Sequence, residues 1–214
     1  MTIFSMQGDY LSECTYLVRE EGCAIVIDPG TSAERILSEC EKIGVRLLAV
    51  LLTHGHSDHT VGAHDLQRKG YKVYAHKDEF SVIAGRASLS LVLGLPQDSF
   101  SPDIALSDGS VIDLKPFKIM VIHTPGHTQG GVCYLINDAL FTGDTLFPGS
   151  YGRTDFPTGD EQDLICSIAN ELFELPPETK LFSGHGDSTA GASPCNAQST
   201  IGEEYSTNPI LYLL

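Results

Sequence analysis

Basic residues are scarce in this chain: 13 Lys and Arg stand against 28 Asp and Glu, a formal net charge of −15 over 214 residues. A surface of that sign repels phosphate backbones and anionic lipid, so neither nucleic acid nor a membrane is an expected partner. Long apolar runs are missing too. The longest, residues 45–52, is interrupted by Arg46 and falls far short of a bilayer. Residues 1–10 hold no basic side chain and no apolar core of a secretion signal. The six cysteines (Cys14, Cys23, Cys40, Cys133, Cys166, Cys195) form no CxxC pair, and a chain of this length builds a core without disulfides. They are expected as reduced thiols in a cytosol-like compartment, hence a cytoplasmic protein, although an even count leaves a disulfide open. No solenoid period and no linker divides the chain, so residues 1–214 are expected to form one domain.

What is present is a globular composition, 42% hydrophobic and 19% charged. Residues 12–19 and 23–28 are apolar, β-rich runs that meet at Glu20-Glu21-Gly22, the pattern of a hairpin. Residues 33–43 place Ile36, Leu37, Cys40 and Ile43 on one helical face, with Thr31 or Ser32 as cap and Gly44 at the stop. The run 45–52 reads as a strand buried on both faces. A helix over 64–69 and a strand over 71–75 follow, whereas 80–103 is apolar without a clean period and suggests loops around a short helix. Further strands are expected at 111–114, 117–123, 131–136, 139–142 and 180–183, an amphipathic helix at 163–175, and then a polar tail. Hairpin-joined strands mixed with strands separated by helices predict a mixed-sheet α/β protein with helices on its outer faces.

Histidine spacing carries the chemistry. Residues 53–60 read T-H-G-H-S-D-H-T, directly after a buried strand. Imidazoles and carboxylates are the ligands that zinc or iron prefers, and a loop hung on a rigid strand end aims several of them at one point. In an extended segment His54 and His56 project to the same side, while Asp58 and His59 diverge toward a second point if the chain turns, which suggests two metals. Three more candidates sit at the ends of apolar runs beside glycine: His127 in TPGHT, Asp144 in FTGDT and His185 in SGHG. Asp28, at a strand end before Pro29-Gly30, is placed to receive a ligand histidine's N–H and fix its tautomer. His64, His76 and His123 lack the glycine setting and are expected to be structural.

This ordered set resembles the metallo-β-lactamase superfamily: an early aspartate, HxHxDH, a later histidine, an aspartate and a last histidine, spread over residues 14–211. The resemblance implies an αββα sandwich of two mixed β-sheets with outer helices. It implies that His54, His56 and His127 hold one metal, that Asp58, His59 and His185 hold the other, and that Asp144 bridges. Aspartate at 144, in place of the cysteine of the true zinc β-lactamases, makes lactam hydrolysis doubtful. A second stretch, Gly143 to Phe147 followed by YGRTDFP at 151–157 and Gly159-Asp160, resembles the glyoxalase II group, hydroxyacylglutathione hydrolases, in their short single-domain form. So do the GHG at His185, the segment STIGEE at 199–204 and Asn208-Pro209. Residues 187–198 are longer than the usual connection. The C-terminal helical domain that supplies basic residues for glutathione in long members has no room here, and only Lys180 lies beyond Arg153.

Two divalent ions, zinc or iron or both, about 3.5–4 Å apart would share a water and bring its pKa toward neutrality, giving a metal-bridged hydroxide. The expected reaction is hydrolysis of small acyl thioesters, glutathione-derived ones among them, with Asp58 and Asp144 taking part in catalysis. Arg153 is a candidate for an anionic part of the substrate, against the alternative of a salt bridge to Asp155 or Asp160. Two other readings stay open: a persulfide dioxygenase with one iron on His54, His127 and Asp144, and a non-catalytic metal-binding interaction module.

Overall fold

The structure, a computed structural model, describes residues 1–95, 99–186, 195 and 199–214. The extended segment 187–198 therefore lies outside the described residues, Cys195 excepted. A first six-stranded sheet runs in order β1 (Thr2–Gln7), β2 (Cys14–Glu20), β3 (Cys23–Ile27), β4 (Arg46–Leu51), β5 (Lys72–His76) and β6 (Ile104–Leu106). A second contains β7 (Val111–Leu114), β8 (Phe117–His123), β9 (Val132–Ile136), β10 (Ala139–Gly143), β13 (Lys180–Ser183) and β14 (Ser199–Thr200), in the order β14-β13-β10-β9-β8-β7. A two-stranded ribbon, β11 (Leu146–Phe147) and β12 (Ser150–Tyr151), stands between β10 and β13 in the chain.

Alternation along the strands explains the layers, because neighbouring side chains point to opposite faces. Val18, Ile25 and Ile27 join Phe117, Ile119, Val121 and Tyr134 in a core between the sheets. Leu17, Ala24 and Val26 face the other way, under Ile36 of α1 (Ala33–Lys42) and Leu66 of α3 (Ala63–Arg68). On the far side Ile122, Cys133 and Leu140 are covered by Leu164 of α6 (Glu161–Ser167), Ile168, Leu172 and Ile201. The layer order is αββα, as the resemblance implies. No helix among the described residues is long and apolar enough to cross a membrane.

The structure adds to the sequence reading at several places, among them the short strands β6, β11 and β12. Residues 2–7 form edge strand β1, paired with β2 from Thr2↔Arg19 to Gln7↔Cys14; its half-buried side chains show little alternation. Residues 80–103 contain two short helices, α4 (Phe80–Ala84) and α5 (Ser90–Leu93), too short to show a period. The polar tail contains α7 (Ile201–Thr207), closed by a capping box between Thr200 and Glu203. It reads as polar because Ile201 and Glu204 are the two residues of the helix that are buried. Finally, Cys14 and Cys195 are disulfide-bonded across 181 residues, with Cα atoms 5.3 Å apart. The expectation of six reduced thiols therefore holds for Cys23, Cys40, Cys133 and Cys166. Counting cysteines cannot reveal which distant segments a sheet edge brings together.

Strand directions prepare the site. β3 runs parallel to β4, β10 runs parallel to β13, and β8 and β10 are both antiparallel to β9. Within each sheet the carboxyl ends of these strands thus share an edge, where open α/β sheets place their ligands. Cross-sheet bonds hold these edges together: Tyr134 Oη donates to Leu52 O at 2.7 Å, Tyr16 Oη to Ser183 O at 2.6 Å, and Val132 N–H to Thr53 O at 2.9 Å.

Candidate metal centre

The loop after β4 carries four of the predicted residues, and its shape follows from one local event. His56 is extended at the N-cap of α2 (Ser57–Thr60), a single turn of helix. Before the turn, His54 and His56 face one point; the turn swings Asp58 and His59 toward another. His127 follows β8, Asp144 follows β10, and His185 follows β13. A register shift between Phe141 and Gly143 in the β10–β13 pairing re-aims the chain just before Asp144, a common device beside functional sites. Gly143 has φ of +49° and Gly184 lies so close to Asp144 that a Cβ there would stand 2.3 Å from its Oδ1. Glycine is required at both points.

All seven predicted residues come together, in two groups. His54, His56 and His127 form the first: His56 Nδ1 lies 3.1 Å from His54 Nε2 and 3.0 Å from His127 Nε2. Asp58, His59 and His185 form the second, with 3.2 Å between the Nε2 atoms of His59 and His185. Asp144 stands between them: its Oδ2 is 3.5 Å from His127 Nε2 and 3.3 Å from His185 Nε2.

The outward bonds of the rings set their tautomers. His127 Nδ1 donates to Arg153 O at 2.7 Å and His185 Nδ1 to Leu11 O at 3.0 Å. His59 Nδ1 donates to Asp28 Oδ2 at 3.0 Å. Thr53 Oγ1 gives its proton to the same carboxylate oxygen at 2.5 Å, so it accepts from His54 Nδ1 at 3.1 Å. Four Nε2 lone pairs are thereby turned inward against one another. Asp28, read from the sequence as a partner for a ligand histidine, stands within hydrogen-bond distance of His59.

Such an interior needs positive charge. Asp28 and Asp58 are buried and Asp144 is half-buried, with the buried Glu13 nearby, and no Lys or Arg pairs with any of them among the described residues. Asp144 Oδ1 and His56 Nε2 have no hydrogen-bond partner. Burial holds His54 and His56 well below the ordinary histidine range, reinforced by the neighbouring imidazoles; burial also lowers His127. Burial pulls His59 and His185 down as well, but Asp144 and Asp58 outweigh it and both rise. The first group is therefore held neutral, as metal ligation requires, and around the second Asp58 and Asp144 favour any positive charge. Nitrogen and carboxylate donors, inward lone pairs and the orphaned Asp144 Oδ1 fit a pair of divalent ions.

His76, Asp78 and His123 gather elsewhere, but the two imidazoles stack at 4.1 Å with 12° between their planes. In-plane lone pairs of parallel rings do not meet at one point. His64 stacks on Phe100.

Sequence reasoning missed Glu79. This fully buried carboxylate accepts the Gly55 N–H at 2.6 Å and the Gly130 N–H at 2.8 Å, tying the His54/His56 loop to the His127 loop. Burial raises its pKa while the two amides oppose the rise. The signal in the sequence was a glycine within three residues of a ligand in each loop, whose N–H group needs an acceptor; only the fold shows which.

A cavity of about 770 Å³ opens over the centre, floored by His56, Asp58, His127, Asp144 and His185. Arg153 lines it, and its guanidinium is engaged: Nε and one terminal nitrogen each lie 2.6 Å from an oxygen of Asp155, and the plane rests on Phe156. This is the salt-bridge alternative weighed above.

Comparison with known proteins agrees with the geometry. The family model described as metallo-beta-lactamase superfamily matches residues 11–185. A hydroxyacylglutathione hydrolase GloC of Haemophilus influenzae is 36% identical over 209 residues, covering 94% of this chain and 93% of that protein. The crystal structure of BLEG-1 B3 metallo-beta-lactamase superposes with a TM-score of 0.86 at 33% identity, over 98% of this chain and 99% of that one. That of TTHA1623 in a di-iron-bound form gives 0.81 at 33% identity, over 96% and 98%. Fold, ordered site residues and these matches together show that the chain belongs to the metallo-beta-lactamase superfamily.

Proposed function

We propose that this metallo-hydrolase is binuclear and cleaves small acyl thioesters, in the manner of glyoxalase II. The observation that carries the reading is Asp144 standing between two complete ligand groups, each of three side chains. His54, His56 and His127 would hold one ion and Asp58, His59 and His185 the other, zinc or iron, with Asp144 shared. Bound there, the two ions would acidify a water toward neutral pH and polarise the carbonyl. Asp58 and Asp144 line the cavity floor and would orient the attacking water by accepting its hydrogen bonds. Asp28 keeps His59 in the tautomer whose Nε2 faces inward. A thiolate leaves without a strong general acid, and none is needed here. The name carried by the Haemophilus relative supports a thioester substrate; the aspartate at 144 and the net charge of −15 speak against lactams and polynucleotides.

Three assays on the metal-loaded protein test this: thioester hydrolysis, β-lactam hydrolysis, and oxygen uptake with glutathione persulfide. The wild type should hydrolyse thioesters and consume no oxygen. Asp58→Ala should lose one ion and cost thioester kcat/KM about 3–5 kcal/mol of transition-state stabilisation. Oxygen uptake by a protein holding one iron, without thioester cleavage and unaffected by Asp58→Ala, would establish the dioxygenase instead. Faster turnover of a lactam than of any thioester would also overturn the assignment.

A further inference from the structure

The walls of the cavity differ in character from its floor. On one side α5 and its capping residue present Leu89, Val92 and Leu93; on the other the β11–β12 ribbon presents Phe147, Pro148 and Tyr151. Val92 is 73% exposed, a large apolar side chain left in water at the rim of a site whose floor is ionic. The placement of α5 is not incidental. Leu89 adopts the left-handed conformation with φ of +64°, unfavourable for a branched aliphatic residue, and is nonetheless 5% exposed and built into the wall. Backbone strain of this kind persists where the surrounding structure demands it, often at ligand sites. Above that floor the described lining residues offer no free cationic side chain. One Lys or Arg, Arg153, is among the cavity's described lining residues, and Asp155 holds it in a bidentate pair.

We propose that this cavity selects neutral thioesters with a short aliphatic arm, laid between α5 and the β11–β12 ribbon, over thioesters of glutathione. The inference rests on the thioesterase reading above. A glutathione arm brings two carboxylates and one ammonium group, and its carboxylates would meet an acidic protein with no unpaired guanidinium in the wall. An aliphatic arm instead removes its own surface and that of Val92, Leu93 and Phe147 from water. The arm belongs either to the acyl group or to the thiol, and substrate series distinguish the two.

The test uses the metal-loaded full chain. One series varies the acyl group from acetyl to hexanoyl on N-acetylcysteamine; the other varies the thiol from ethanethiol to hexanethiol as acetyl esters. In the series whose arm meets the wall, kcat/KM should rise about threefold to fourfold for each added methylene until the cavity is filled. The best neutral thioester should exceed S-lactoylglutathione by about tenfold or more. Val92→Asn, at an exposed position where folding is not at stake, and Leu93→Asn should each flatten the slope without changing metal content. Thioester cleavage with both slopes flat overturns this inference and spares the parent reading. So does preference for S-lactoylglutathione that Arg153→Ala abolishes, since the guanidinium would then have left Asp155 to take the anion. A protein with two ions bound that cleaves no thioester overturns both.

Discussion

Glu79 is a carboxylate fully buried from solvent, and no Lys or Arg among the described residues pairs with it, a placement that fixed N–H donors stabilise. Gly55 and Gly130 supply them, one from each histidine loop. Glu79→Gln turns one acceptor into a donor that faces an amide N–H. The expected cost is about 1–3 kcal/mol of stability, with weaker metal binding at His54, His56 and His127 than at the other group. Competition with a chelator of known affinity, together with denaturant unfolding, measures both; equal affinities in the variant and the wild type would remove Glu79 from the positioning of the loops. The predicted ligands were legible because four lie within six residues of one loop and the others each follow an apolar run beside glycine. Glu79 and Glu13 were not, since a carboxylate's burial depends on segments distant in the chain.

Elements govern the shape of the cavity. The β11–β12 ribbon has two strands of two residues each, which is too little to stand alone. It is held from behind: Asn208 Nδ2 donates to Ser150 O at 2.9 Å and to Phe147 O at 3.2 Å, and Gly149 N–H donates to Glu204 Oε2 at 2.9 Å. Glu204 and Asn208 are both buried, and Asn208 Nδ2 also donates to the Glu204 carboxylate. Asn208→Ala should therefore destabilise the chain by about 1–3 kcal/mol, by stranding the carbonyls and carboxylate it satisfies. It should raise KM more than it lowers kcat, because the ribbon is wall and not floor. Steady-state kinetics with the preferred thioester checks the split, and a loss confined to kcat would contradict it. The long strands and α1 were readable from their periods, whereas α4, α5 and the ribbon are too short to carry one and are fixed by tertiary bonds and by the φ of Leu89.

Across the whole molecule, two features of composition acquire a place. The acidic excess is partly internal, with Asp28 and Asp58 buried and Asp144 half-buried around the candidate metal centre. The disulfide ties the start of β2 to a position beyond the last ligand, next to the pairing in which Cys14 N–H donates to Gly184 O at 2.8 Å. A bridge closing a loop of 181 residues restricts the unfolded chain strongly, so Cys195→Ser should cost about 2–4 kcal/mol in denaturant unfolding under oxidising conditions. Added reductant should bring the wild type to the same midpoint; identical midpoints with and without reductant would contradict the pairing.

The central claim is that the two groups hold two ions sharing Asp144, and metal content measures it directly. Mass spectrometry of the purified, gel-filtered protein, with elemental analysis, should find about two equivalents of zinc, iron or both, and about one in Asp58→Ala. Stripping them with a chelator should lower the melting temperature, because the inward lone pairs and buried carboxylates lose their cations. A folded protein that holds no metal, and whose melting temperature a chelator leaves unchanged, would contradict the account.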